Sequence, residues 1–289
     1  MRFTACSAEQ GNIETLIKVS TTVAKLSKNC VIRISPNGFC FIQNENLREK
    51  AYRLWLELVT DQLFEETFRM DGLSAEKNEI YLDVFPDEIR QVLSRAAQAK
   101  SVKVRLTKKG NPAAPHLTFE LKQQVGAAVI THDVPVRVIS ERYWNDFPLP
   151  ALPDCGVQLL LPPVKVLQKV VAGVKNMNSR YVSFSANKAG DLKVRGETDS
   201  VDVAVFFSDL KVDTDERVAE PRRRSAEEEL ERRRYHTVRV DIRTVTQFLT
   251  NMQLTYCQLS LGIVPNRLAH FKVDLEELKL QYFVPAILL

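Results

Sequence analysis

The chain predicts an α+β fold built as two similar domains. Three observations carry that prediction. A proline-rich stretch, Ser140 to Cys155 (SERYWNDFPLPALPDC), sits near the middle with Pro148, Pro150 and Pro153 and no strand or helix period. Proline fixes φ, removes a donor and biases its predecessor to extended backbone, so this stretch reads as a stiff connector. Each flank repeats one order: a short alternating strand, a basic amphipathic helix, several strands, a second helix, more strands. The strand segments alternate with period two. The expected boundaries are residues 1–139, a connector at 140–155, and residues 156–289.

Composition sets the limits. A chain of 289 residues with 45% hydrophobic content supports two packed cores. The formal net charge of +4 is too small by itself to point to nucleic acid. The cysteines are Cys6, Cys30, Cys40, Cys155 and Cys257, odd in number and without a C-x-x-C pair. That argues against a disulfide framework or a zinc site and fits a reducing, intracellular compartment. No apolar run is long enough for a membrane span, and residues 1–8 read as a strand rather than a signal peptide.

In the first half, Arg2 to Ala8 alternates, Gly11-Asn12 breaks the pattern, and a helix is expected to about Asn29. On a helical wheel Ile13, Leu16, Ser20, Val23, Ala24 and Ser27 share a face; Glu14, Lys18, Thr22 and Lys25 lie opposite, with Lys28 at the edge. CVIRIS, a Pro36-Asn37-Gly38 turn and FCFIQ read as a hairpin. Strands are expected at 52–60, 68–73 and 79–85. Pro86 then opens a helix ending near Lys100, hiding Ile89, Val92, Leu93 and Ala96 and showing Arg90, Ser94, Arg95 and Gln98. SVKVRLT, HLTFELK and AVITHDVPVRVI follow as strands.

In the second half GVQLLLP is a strand, and Pro162-Pro163 start a helix, VKVLQKVVAGVKNMN, that contains no acidic residue. Leu167, Val170, Val171, Val174 and Met177 form its apolar face; Lys165 and Lys169 lie on the other side and Lys175 at the edge. YVSFSA, DLKVRGE, SVDVAVFF and YHTVRVDI are strands. A helix near 243–252 shows Arg243, Gln247 and Asn251 outwards and hides Val245, Leu249 and Met252. CQLSLGIV, LAHFKVDL and LKLQYFVPAIL close the chain. This half is one strand short between its third strand and its second helix.

The insertion Lys211 to Arg234 holds eight basic and eight acidic residues among 24. Such a mixture buries too little apolar area to order itself on a core, so a solvated insertion is the first reading. Its last part, SAEEELERRR, carries a capping box of Ser225 with Glu228 and Glu-to-Arg pairs four apart, which support a transient helix. Arg222-Arg223-Arg224-Ser225 fits a phosphorylation site at Ser225 for a basic-directed kinase, and the two Arg triplets fit a nuclear import signal.

Catalytic patterns are missing: no G-x-G-x-x-G, G-K-[ST], H-E-x-x-H or nucleophile elbow occurs. The histidines are scattered, and Thr131-His132-Asp133 alternates across a strand rather than converging. No enzymatic activity, metal or cofactor is expected. What remains is that the same face is basic in all four helices: Lys18, Lys25 and Lys28; Arg90 and Arg95; Lys165, Lys169 and Lys175; Arg243. Any one lysine is ordinary surface; the set together suits phosphate contact without sequence readout. No aromatic residues interleave with it, which favours duplex backbone over stacked single strands.

At this point the chain resembles the sliding-clamp fold of proliferating-cell nuclear antigen and its relatives, and within it the Hus subunits of the heterotrimeric (nine-one-one) checkpoint clamp. The resemblance runs through Ala24-Lys25-Leu26, Cys30 to Pro36, Asn78 to Leu82, Thr131 to Val136, Asp241-Ile242-Arg243 and Leu280 to Ala286. It implies that the helices line a central hole with antiparallel sheets outside, and that the nine basic residues above face duplex DNA. It implies that strand edges join neighbouring subunits, here Ala127 to Ile139 (Val129, Thr131, Asp133) and Ser200 to Phe207 (Val201, Val203, Val205). An obligatory partner also explains how an apolar edge escapes aggregation. Beside the connector and the C-terminal segment lies the family's docking surface, matched in position by Tyr143, Trp144 and Phe147 and by Tyr282, Phe283 and Pro285.

The partners so implied are two Rad-type clamp subunits in a ring, an ATP-dependent clamp loader, duplex DNA and repair enzymes, in the nucleus and without a membrane. No long tail follows Leu289, so recruitment through a phosphorylated tail is expected of another subunit. Two other readings stay open: a replicative clamp forming a homotrimer, and a protein-only scaffold that uses its strand edges without encircling DNA.

Overall fold

A computed structural model describes residues 1–46, 51–64, 67–124, 128–148, 154–213, 226–254 and 258–287. The chain forms two compact units: Met1–Pro150 with Leu275–Leu280, and Ala151–Asp274 with Gln281–Leu289. Both are α+β with antiparallel sheets, as the resemblance implies.

The first unit runs β1 (Arg2–Ser7), α1 (Gln10–Leu26), β2 (Cys30–Ser35), β3 (Gly38–Asn46), β4 (Ala51–Val59), α2 (Thr60–Leu63), β5 (Arg69–Asp71), β6 (Ile80–Val84), α3 (Pro86–Leu93), β7 (Ala99–Lys109), β8 (Ala114–Gln123), β9 (Val129–Pro135) and β10 (Arg137–Val138). Its strands are ordered β5-β1-β7-β8-β9 in one sheet and β10-β6-β2-β3-β4 in the other. The β2–β3 hairpin closes at Ser35 opposite Gly38, as the Pro36-Asn37 pair predicts. Between the sheets and α1 and α3 lies an aromatic core in which Phe3, Phe39, Phe41 and Phe64 meet at tilted and edge-on angles.

Several boundaries differ from expectation, each for a local reason. Helix α1 already includes Gly11, because Glu9 is extended and its carbonyl accepts the N–H of Ile13 at 3.1 Å. It stops at Leu26, where Ser27 turns to φ −139°. Thr22, expected outside, is buried: α1 packs on α3 as well as on β7, and the Thr22 hydroxyl satisfies itself on the Lys18 carbonyl at 2.8 Å. Helix α3 tightens into a 3₁₀ turn over Ser94–Gln98, and Lys100 already belongs to β7. The expected edge strand 127–139 is divided: Pro135 cannot donate, Val136 bonds back to the Pro115 carbonyl, and β10 crosses to pair with β6. Ser140 to Cys155 is not wholly extended, since Glu141–Asp146 forms a 3₁₀ turn; residues 149–153 lie outside the described residues.

The second unit runs β11 (Val157–Leu160), α4 (Val164–Asn176), β12 (Tyr181–Ala186), β13 (Leu192–Glu197), β14 (Asp202–Phe207), α5 (Ala226–Arg233), β15 (His236–Asp241), α6 (Ile242–Asn251), β16 (Ser260–Val264), β17 (Leu268–Asp274) and β18 (Leu278–Pro285). One sheet is ordered β18-β17-β16-β11 and the other β14-β13-β12-β15. This is the connectivity of the first unit over again, with β11 in the place of β1, β12 of β2, β15 of β6 and β16 of β7. The missing strand is the counterpart of β5. It survives as a single bridge between Leu159 and Val212, on the strand that stands in the place of β1. Asp241 caps α6, its carboxylate accepting the Thr244 N–H at 2.9 Å. Gly196 lets α4 lie close on β13, because a Cβ there would stand 2.1 Å from Cγ1 of Val174.

Candidate nucleic-acid and partner-docking surfaces

The helix faces of the two units differ in charge compensation. In the first unit Lys18 stands 3.9 Å from Glu14, and Arg90 donates through Nε to Asp87 at 2.8 Å. Bonds from Arg90 and Gln91 hold the Asp87 carboxyl below its ordinary range. Lys25 is exposed in the last turn of α1; Lys28 is exposed beyond the helix end, and Arg95 is exposed on the 3₁₀ turn.

The second unit carries a cleaner basic face. Lys165, Lys169 and Lys175 are exposed on α4, which has no acidic residue, and they form no ion pair among the described residues. Val166 is exposed beside them, and nothing lies within 4 Å of the space above Gly173. Arg243 is exposed in the first turn of α6, the helix on which α4 packs. Gln168 of α4 donates to the Leu249 carbonyl at 2.6 Å and fixes the pair. Uncompensated ammonium groups on a close-packed helix pair can meet a phosphate backbone without first breaking internal bonds.

Strands β9 and β14 each end a sheet. On β9, Val129, Thr131 and Asp133 are exposed. The Asp133 carboxylate accepts from Lys109 at 2.6 Å and Thr118 at 2.6 Å, and these bonds hold its pKa below the usual range. Its side chain therefore serves its own sheet. On β14, Val203 faces Gly196 and Val205 faces Val194, which places both on the side of the sheet that packs on α4. Val201 is a correction: it precedes the strand, its N–H bonds to the Thr198 hydroxyl and its carbonyl accepts from the Thr198 N–H, so it offers no edge backbone. Phe206, overlooked in the sequence, is the most open apolar side chain of β14 at 64% exposed, with the Lys193 ammonium 5.3 Å from its ring centroid.

The six aromatic and proline positions assigned to docking separate into buried and open. Trp144 stacks on Tyr81 at 4.9 Å and 30°, and its indole N–H donates to the Ile139 carbonyl at 3.1 Å. Phe147 is buried with Cys40, Ile42, Trp55 and Tyr81. Both fasten the connector to its own unit, Phe147 fully buried and Trp144 partly so. Tyr143 is the accessible one, 46% exposed, with the Arg142 guanidinium 4.6 Å over it. It lines a cavity of about 490 Å³ with Val31, Asp83, Arg137, Val138 and Asp146. The signal for this cavity was in β3: FCFIQ carries Phe39 and Phe41 on one face and Cys40 and Ile42 on the other, as a strand covered on both sides must.

In the second unit Tyr282 is buried and stacks on Phe248 at 4.4 Å, so it is core. Phe283 is half-buried, stacked on His270 at 4.6 Å and 7°. Pro285 is exposed. His270 is pushed down to about 4 by burial, only partly offset by its bond with Gln281 at 3.2 Å and reinforced by Lys272, and so stays neutral.

Ser225 and Arg222 to Arg224 lie outside the described residues. The ends of the insertion are well placed. Leu160 donates to the Lys211 carbonyl, Asp213 to the Gln158 carbonyl, and Leu210 to that of Gly190. At the other end α5 forms with its Glu229–Arg233 pair at 3.2 Å, and Ala189 donates to the Arg232 carbonyl at 3.1 Å. Among the described residues no group of three His, Cys, Asp or Glu side chains could hold a metal ion, and no helix is long and apolar enough to cross a membrane.

Comparison with known proteins gives one consistent answer. The model of the family described as Hus1-like protein matches residues 1–288. The human checkpoint protein HUS1 (Homo sapiens) is 33% identical over 289 residues, covering 99% of this chain and 100% of the human one. The checkpoint protein Hus1-like of Drosophila melanogaster is 25% identical over 99% of both chains. The checkpoint protein hus1 of Schizosaccharomyces pombe is 28% identical over 69% of this chain and 68% of its own. With the family model matched over residues 1–288 and a third of its residues identical to the human protein, the chain belongs to the Hus1-like family.

Proposed function

We propose that this chain is a non-catalytic subunit of a heterotrimeric checkpoint clamp, closed around duplex DNA with two other, Rad-type subunits by an ATP-dependent loader in the nucleus. The observation that carries the reading is the family match over residues 1–288. Each element of the geometry supports a part of it. The basic faces of α1, α3, α4 and α6 suit loose contact with DNA phosphates, with Lys165, Lys169, Lys175 and Arg243 the least compensated. Among the described residues strands β9 and β14 end their sheets without a further strand, as subunit joints by strand addition require. The Tyr143 cavity suits an apolar side chain of a repair enzyme, since it offers an open aromatic ring beside a preformed hollow.

Native mass by light scattering tests the reading, on the chain alone and after co-expression with the two candidate subunits. The expected result is a monomer alone and a ring of one copy each when all three are present. A homotrimer formed by this chain alone overturns it in favour of a replicative clamp; a monomer in every mixture overturns it in favour of a scaffold.

A further inference from the structure

The β2–β3 hairpin is closed by a loop of two residues, Pro36 and Asn37, with Ser35 opposite Gly38 at its base. Asn37 is exposed, and Gly38 follows it directly. That order carries chemistry of its own. The side-chain amide carbon of an asparagine is one five-membered ring away from the backbone nitrogen of the next residue. Glycine, without a Cβ, leaves that nitrogen unshielded. No other asparagine in the chain precedes a glycine.

The surroundings favour the pair. Pro36 holds its own φ at about −65°, which rules out both primed turns at this loop. Asn37 also keeps a negative φ. The loop therefore lacks the twist-matched geometry that locks most two-residue hairpins. Gly38 in turn is favoured by its neighbouring strand. A Cβ there would stand 3.2 Å from Oε1 of Glu57 and 3.7 Å from the Leu58 carbonyl oxygen, so a side chain that shielded the Asn37 bond would be crowded.

We propose that Asn37 is a site of spontaneous deamidation and isoaspartate formation, and that the product loosens the seat of the connector. The Gly38 backbone nitrogen attacks Cγ of Asn37. The new N–Cγ bond forms, the bond from Cγ to the side-chain nitrogen breaks, and ammonia leaves with the Gly38 amide proton. Water then opens the cyclic imide at either carbonyl, giving aspartate or isoaspartate without any oxidant. In the isoaspartate the backbone runs through the side chain and is one carbon longer, in a loop that sets register with only two residues. The new carboxylate also joins that of Glu57, which already lies over Gly38. Register matters here because pairing with Arg33 and Val31 places Cys40 and Ile42, the β3 residues packed with Phe147. The inference stands apart from the clamp reading, since it needs neither DNA nor a partner.

Ageing the full chain at body temperature and mildly alkaline pH, followed by tryptic mass spectrometry, tests it. Asn37→Gln is the comparison, because the extra methylene disfavours the ring while the exposed turn keeps its fold, which circular dichroism verifies. The expected result is a fragment from Ile34 to Arg48 that becomes about one dalton heavier at residue 37 and is labelled by an isoaspartate methyltransferase. The gain should be at least about tenfold faster than at Asn178, which precedes Ser179. Aged chain should be cut after Ile139 several-fold faster than fresh chain, and aged Asn37→Gln no faster than fresh. No gain at residue 37, a gain no faster than at Asn178, aspartate without isoaspartate, or equal digestion of aged and fresh chain overturns the proposal.

Discussion

Trp144 stacks on Tyr81 at 4.9 Å, and the Tyr81 hydroxyl in turn donates to Glu79 at 2.8 Å. Partial burial alone would raise the Glu79 carboxyl, but bonds from Arg33 and Tyr81 hold it below its ordinary range. The connector is thus seated by a ring whose position is fixed by an ion pair. Trp144→Ala should lower stability by about 2–3 kcal/mol, less than a fully buried Trp because Trp144 is only partly buried. The same change should make the segment after Ile139 sensitive to proteolysis. Urea midpoints and limited digestion read both effects, and an unchanged digestion pattern contradicts the assignment.

His270 ties stability to pH. Its folded-state pKa of about 4 lies below the ordinary 6.5, so the unfolded chain takes up the proton first. The neutral ring's contribution is therefore complete above pH 6.5 and lost as pH falls from 6.5 towards 4, for a total of roughly 3 kcal/mol. Denaturant titrations across that window should show the slope, and His270→Gln should flatten it.

Charge reversal should separate the two units' helix faces. With the subunits assembled, Lys165→Glu/Lys169→Glu should cut DNA retention and lower the slope of log K against log salt by roughly 2. Arg90→Glu should do less, because Asp87 already holds that guanidinium at 2.8 Å. Salt titrations of a fluorescent duplex measure both; equal losses would count against the compensation argument.

Gly196→Ala should destabilise by about 1–3 kcal/mol, since the added methyl meets Cγ1 of Val174 at 2.1 Å. Val174→Ala in the same chain should recover much of the loss, a coupling that a double-mutant cycle reads directly.

The helices and strands were largely legible because their periods are clean, from Leu167, Val171 and Val174 in α4 to the alternation of β12 and β13. Fold class followed from element order alone. The misreadings share a cause: sequence spacing names a face but not what covers it. Thr22 looked solvent-facing until α3 was placed beside it. Trp144, Phe147 and Tyr282 read as docking residues because aromatics near a proline-rich segment serve packing and recognition equally well. For Lys18 and Arg90 the sequence names the face, and the structure adds how near Glu14 and Asp87 stand on the same helices.

The turn between β12 and β13 holds both ends of the charged insertion: Gly190 accepts from Leu210, and Ala189 donates to Arg232. The chain is thus tied shut at the base before the insertion's length enters any folding cost. Doubling a loop closed in this way costs only about 0.6 kcal/mol in entropy. Residues 214–225 are accordingly the place to splice in a reporter or an affinity tag, with β14 and β15 left in register on either side.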